Sequence, residues 1–354
     1  MGENVSKAEG FGEIPPAAVD LAQKHVSDIL ALAVEYSALH QKALVVYDRR
    51  CDLARALTEA YRRCLPKAKF VVFDEVTPEL VRADFANLQP SDLVVLIQSS
   101  NFRLNKFRIR VDLFNRSIKV IEHPHLSRMP GAEQLYYIDA LAYDPEYYRG
   151  VGRALKERID QARRGVLDSG GEQLVFSAGF EPAKLNVGDY TGMKNIGGQF
   201  PIGEVFTESK DLEAVNGRVR VFAFGDTTFG VNKPEEPITL VVNRGRVTET
   251  IDATPEFEAV LANIRKDEGG EVWVRELGFG LNRALTQERM VSDIGTYERL
   301  RGVHLSLGTK HNAYKKPNFE SSRQRASHHV DIFANTQAVL LDGGNVFHEN
   351  AWLI

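Results

Sequence analysis

The sequence predicts two unlike halves: a doubly wound, Rossmann-like α/β domain, then an α+β domain rich in antiparallel strands. Three observations predict this. Up to about residue 168, short apolar runs alternate with helix-period segments, the pattern of a buried parallel sheet with helical crossovers. Beyond it, helical signals thin out, glycines become frequent and short strands dominate. The length, 354 residues, suits two domains with separate cores.

The elements follow in order. Residues 1–18 are polar, carry glycines and end near Pro15-Pro16, and read as a mobile arm. Ala18, Leu21, Val26, Ile29, Leu30 and Ala33 have helical spacing. KALVVYD (42–48) is a strand, with Asp52 placed to cap the helix DLARALTEAYRRC. AKFVVFDEV (68–76) repeats the unit, and Thr77-Pro78 opens the next helix as N-cap and first-turn proline. DLVVLIQ (92–98) and IKVIEH (118–123) are two further strands, with NKFRIRVDLFNRS a helix between them. GVGRALKERIDQARRG (150–165) is an amphipathic helix. The predicted domains are therefore 19–168 and 169–354, the boundary falling near 165–172. In the second, VNRGRV reads as a hairpin with a glycine-bearing turn. TPEFEAVLANIRKDEGG reads as one helix, with Thr254 as N-cap, Pro255 in the first turn and a closing Gly-Gly.

Composition excludes several function classes. A net charge of −4 and a pI near 6.2 give no basic excess for nucleic acid or an anionic membrane. No apolar run approaches the roughly 18 residues of a membrane span, and no signal-peptide pattern opens the chain. Cys51 and Cys64 read as two reduced thiols, which sets the expected location as the cytoplasm. Met1-Gly2-Glu3-Asn4-Val5-Ser6 fits the myristoylation template, a motif short enough to arise by chance. The turn after the first strand is DRRCD, without the glycines that let a backbone approach a pyrophosphate, and no P-loop occurs. The first domain thus lacks a nucleotide fingerprint.

The chemistry concentrates near the C-terminus. Glu276 lies in ELGFGLN, Glu298 in TYERLRG, His304 in GVHLSLG, and His329 and Asp331 in SHHVD. Carboxylates and imidazoles on short strands are the ligands preferred by a borderline divalent cation such as Zn²⁺, Co²⁺ or Mn²⁺. Glu276 sits in an apolar run, where an unpaired carboxylate is costly. His328 offers an alternative to His329 if the register differs. His123 and His125 follow the fourth strand, where open α/β sheets bind ligands, although an ordinary loop explains them better; Arg103, Arg108 and Arg110 could meet a peptide carboxylate but read first as a solvated helix face.

Four motifs in this order, GQFPIGEVFTES (198–209), ELGFGLN (276–282), GVHLSLG (302–308) and SHHVDIF (327–333), resemble the leucyl aminopeptidase T/S family. That family comprises dinuclear metallo-aminopeptidases with a Rossmann-like first half and a metal-binding second half. The resemblance covers about 170–345 by motif and the first half by layout only. It implies metal ligands at Glu204, Glu276, His304, His329 and Asp331. A further family glutamate falls on Glu298 with one residue of spacing absorbed, or on Tyr297 without a gap. The family's catalytic tyrosine has Tyr314 as its counterpart, inside a basic segment (310–327) longer than in short family members. The resemblance further implies a peptide substrate, two divalent ions and a homodimer.

Two close cations need several anionic ligands because they repel each other, and Glu204, Glu276, Glu298 and Asp331 would supply them. Metal-bound water would be the nucleophile, with Tyr314 or a metal edge facing the oxyanion. Two other functions fit parts of the pattern. A catalytically silent relative would bind a peptide, for example a precursor in a biosynthetic pathway. A mononuclear Fe²⁺ dioxygenase cleaving hydroxylated pyridine rings would use two histidines and a carboxylate, but its first histidine falls at position 276, which here is glutamate.

Overall fold

The computed structural model describes residues 14–104, 108–308 and 328–354. Tyr314 and the first six residues lie outside them. The chain divides into two compact units: 1–143 with 190–201, and 144–189 with 202–354.

In the first unit, α1 (Pro16–Asp28) precedes β1 (Ala43–Tyr47), α2 (Asp52–Cys64), β2 (Lys69–Val72), α3 (Pro78–Ala86) and β3 (Leu93–Ile97). Then come α4 (Ile109–Asn115), β4 (Lys119–His123) and α5 (Glu133–Ala140). Among the described residues this unit has one sheet, in the order β2-β1-β3-β4, extended by a strand at Gly197–Gln199, with every pairing parallel. All five residues of β1 and of β3 are buried, as expected of parallel strands covered on both faces. Alternation sorts them: Leu44, Val46, Val94, Leu96 and Val120 share a core with Val81 and Phe85 of α3 and Leu113 of α4. Thr77 caps α3 by accepting from the Leu80 N–H, with Pro78 in the first turn, as the sequence predicts.

The second unit opens with α6 (Pro145–Gln161), capped by Asp144 accepting from the Tyr147 N–H. The sequence pattern assigns this helix to the first domain, whereas in the structure it belongs to the second unit. Its strands are β5 (Gly165–Asp168), β6 (Gln173–Phe176), β7 (Lys184–Asn186) and, numbering the first unit's edge strand (Gly197–Gln199) as β8, β9 (Glu204–Glu208). They continue with β10 (Val215–Gly225), β11 (Val231–Asn232), β12 (Ile238–Asn243) and β13 (Arg246–Ile251). After α7 (Pro255–Asp267) come β14 (Val274–Gly280), α8 (Ile294–Tyr297), β15 (Gly302–Gly308), β16 (His329–Ala334), β17 (Ala338–Leu341), β18 (Gly344–His348) and β19 (Ala351–Trp352).

These strands form an antiparallel sheet whose main path is β19-β18-β17-β5-β6-β10-β16-β15-β14-β9-β7. The predicted hairpin is β12–β13, turning through Arg244 and Gly245 at φ +49° and +74°. Glycine is required at 245, because a Cβ there would also lie 2.3 Å from the Leu212 carbonyl oxygen. Thr254 caps α7 by accepting from the Phe257 N–H. The architecture is a parallel sheet with helices plus an antiparallel sheet unit. No helix among the described residues is long and apolar enough to cross a membrane.

Candidate metal centre

Four adjacent strands build the site. Gly280 pairs with Glu204, Glu276 with Glu208, Gly278 with both Phe206 and His304, His304 with Phe333, and Ser306 with Asp331. Cross-strand partners share a face and alternate residues return to it. Glu204, Glu276, His304, His329 and Asp331 therefore share one face of β9, β14, β15 and β16. The opposite face carries Val205, Leu277, Phe279, Val303, Leu305, Val330 and Ile332, all buried and apolar. Burying that face in the core fixes the register, because a one-residue slip would move every polar group into the apolar layer.

Two local features aim the side chains. The β14–β15 register shifts between Val274 and Leu277, so β14 carries one extra residue there. The backbone N–H of Glu276, freed from the ladder, donates to Ser306 Oγ at 3.0 Å. The second feature is Gly278. A Cβ at this position would lie 2.0 Å from Cε1 and 2.1 Å from Nε2 of His304, so the imidazole lies directly across the glycine. Only a residue without a side chain lets the ring reach the carboxylates beyond.

There, His304 Nε2 lies 3.3 Å from Glu204 Oε1 and 3.5 Å from Glu276 Oε1. One ligand atom from each of Glu204, Glu276 and His304 falls within 4.8 Å of the others, and all three residues are buried. Beside them, His329 Nε2 is 3.3 Å from Asp331 Oδ1. Glu276 Oε2, both ring nitrogens of His304 and Asp331 Oδ1 are buried without a hydrogen-bond partner among the described residues. Each such atom costs about 1–3 kcal/mol if nothing ligates it. Convergent lone pairs of this kind fit a divalent cation, and the group is disposed to hold one.

The electrostatics agree. Burial alone would lower the pKa of His304, but Glu204, Glu276 and Asp331 overcome it and push the imidazole up to about 10. His329 is likewise pushed up to about 9 against the effect of burial, mainly by Asp331, with Glu276 adding to it. Burial would raise Glu204, yet the Arg299 guanidinium and His304 hold it below its ordinary value. Burial would raise Asp331 too, and His329 outweighs this and lowers it. These acids gather positive charge around themselves, and a metal ion and a proton compete for the same histidine lone pair.

Sequence reasoning left two contributors out. Arg299 is buried, its Nη2 3.8 Å from Glu204 Oε2, and its Nη1 contacts Glu298 and donates to the Gly295 carbonyl at 2.9 Å. No periodicity marks it. Gly278 did leave a signal, since a glycine inside an apolar strand indicates close approach of another group. The other sequence candidates have different surroundings. Glu298 faces Arg299. His328 Nε2 pairs with Asp267 Oδ2 at 2.7 Å, while its neighbour His329 faces Asp331. His123 is enclosed by hydroxyls of Tyr61 at 2.8 Å and Tyr137 at 2.9 Å. His125, Arg103, Arg108 and Arg110 line a cavity of about 510 Å³ beyond the ends of β3 and β4, where Arg110 pairs with Glu122 at 2.8 Å.

No family model matches the chain, and no curated protein matches it. Solved structures do. The 2,5-dihydroxypyridine dioxygenase from Pseudomonas putida KT2440 superposes with a TM-score of 0.59 at 17% identity, over 96% of this chain and 98% of that one. Wild-type AmpT from Thermus thermophilus superposes with a TM-score of 0.56 at 14% identity, over 95% and 99%. At such identities the likeness is one of fold. The fold is thus shared with a dioxygenase and with AmpT.

Proposed function

We propose that this chain is a metal-dependent hydrolase of the aminopeptidase type, acting on peptide N-termini. The observation that carries the reading is the convergence of Glu204, Glu276 and His304, with ligand atoms within 4.8 Å of one another. Two carboxylates and one imidazole suit a redox-inert Lewis acid such as Zn²⁺. Similarity of fold to AmpT, a Thermus aminopeptidase, supports it at the level of architecture.

Glu204, Glu276 and His304 would hold the cation, and Asp331 and His329 are the proposed further ligands from β16. A divalent cation bound there supplies Lewis acidity and a water deprotonated near neutral pH. The chain's own residues prepare the site. Arg299 keeps Glu204 ionised, Gly278 leaves room for the imidazole, and the buried strands keep bulk water from the carboxylates. Tyr314 is proposed to donate to the oxyanion of the tetrahedral intermediate.

One observation favours a second reading, a peptide-binding relative without catalysis: Arg299 already offsets part of the acidic charge at Glu204 and Glu298. Ring cleavage at Fe²⁺ ranks third. Its two-histidine, one-carboxylate face differs from the convergent group found here, although a dioxygenase shares the fold.

One assay separates the three. Chelator-treated protein is reloaded with Zn²⁺, Co²⁺ or Mn²⁺ and offered aminoacyl anilides and short peptides. Release of the N-terminal residue, abolished again by chelator, is the expected result. Peptide binding without cleavage under every metal would establish the silent relative. Oxygen uptake with Fe²⁺ and a dihydroxypyridine would establish the dioxygenase.

A further inference from the structure

The Arg299 side chain occupies an unusual place. It is 5% exposed, yet guanidinium cannot shed its charge as a buried lysine or histidine can. Its Nη1 meets the carboxylate of Glu298 and its Nη2 approaches Glu204 Oε2 at 3.8 Å. The donation from Nη1 to the Gly295 carbonyl ties the group to the turn that carries it. The guanidinium therefore stands between Glu298 and the ligand cluster, filling the space in which those two glutamates would grip a cation together. Among the described residues the ligand atoms of Glu204, Glu276 and His304 lie within 4.8 Å of one another, with Glu298, His329 and Asp331 outside that group; of these three, Glu298 is the one in contact with the guanidinium.

Charge leads to the same conclusion. The Arg299 guanidinium is a permanent positive charge buried against Glu204 and in contact with Glu298. A second dication would have to enter beside a permanent positive charge at short range in a poorly solvated place, where repulsion is strong.

We infer that this centre binds a single divalent cation per chain, with the Arg299 guanidinium standing where a second ion would otherwise lie. The inference rests on the reading of this centre as a metal site. It gives Arg299 the role of a positioning residue that fixes metal stoichiometry and keeps Glu298 out of the ligand set.

The test counts metal on the full chain. Chelator-treated protein is loaded with excess Zn²⁺, desalted and analysed by atomic emission, and a parallel sample loaded with Mn²⁺ is examined by electron paramagnetic resonance. One equivalent and an uncoupled Mn²⁺ spectrum are expected. Two equivalents with a spin-coupled spectrum would overturn the inference and leave the metal site standing. No retained Zn²⁺, Co²⁺ or Mn²⁺ would remove the metal reading itself. Arg299→Gln, folded as judged by circular dichroism, is expected to accept a second equivalent, and Arg299→Lys to stay at one. A folded Arg299→Gln that still binds one ion would refute the role given to Arg299. Should that variant not fold, the wild-type and Arg299→Lys counts decide.

Discussion

Two histidines, one in each unit, are equally removed from water and titrate in opposite directions. His123, at the end of β4, is 0% exposed, and His304, in β15, is 1% exposed. Burial pushes His123 down to about 3, since its neighbours are neutral tyrosine hydroxyls that hydrogen-bond an uncharged ring. His304 faces carboxylates, and they overcome the same burial and take it up to about 10. Burial alone therefore does not settle the charge of a histidine. The identity of what it faces does, and only the second environment attracts a cation.

The largest effects should come from dismantling the charged environment. His304→Ala and Glu276→Gln each remove a proposed ligand. Metal affinity measured by calorimetry should fall by more than the roughly 10–100-fold typical of outer partners, and any hydrolysis should fall with it. Unchanged affinity in both variants would mean that the cluster is not the metal site. Gly278→Ala comes next. The added Cβ overlaps the imidazole, so the ring must swing away; metal binding should weaken sharply while far-UV circular dichroism stays native. Normal metal affinity in this variant would break the link between the glycine and the reach of His304.

The pH response sharpens the contrast. In chelator-treated protein His304 binds its proton more tightly folded than at the ordinary value of 6.5. Its contribution to stability is complete below pH 6.5 and is lost as pH rises through about 10. His123 behaves oppositely: its contribution is complete above pH 6.5 and is lost as pH falls toward about 3. Denaturation midpoints measured across both windows should show the two losses. His304→Ala should shrink the alkaline loss to the part that His329 contributes and leave the acid one unchanged. Metal affinity should also rise with pH as the competing proton leaves. The smallest effect is expected from Tyr61→Phe, which strips one hydroxyl from His123. It should cost about 1–3 kcal/mol in chemical denaturation and leave metal binding untouched.

Much of this arrangement is legible before any coordinates. The strands KALVVYD, DLVVLIQ and IKVIEH announce themselves because a parallel strand covered on both faces must be apolar throughout. Thr77-Pro78 and Thr254-Pro255 mark helix starts because the cap and the fixed proline φ act locally. Glu276 stands out because a carboxylate within an apolar run demands a partner. The cluster itself depends on cross-strand register, which joins Glu204 to a histidine 100 positions away. No local rule carries that, and neither the pairing of His329 with Asp331 and of His328 with Asp267 nor the bulge at Glu276 can be read from spacing.

By itself the sequence determined which segments become strands and helices, and which side chains are chemically able to ligate a cation, because these depend on near neighbours and residue type. Only the tertiary structure decided which of those side chains meet, and that a buried arginine joins them. Antiparallel pairing brings together residues far apart in the chain, and electrostatic environment is a property of that meeting, not of any one segment.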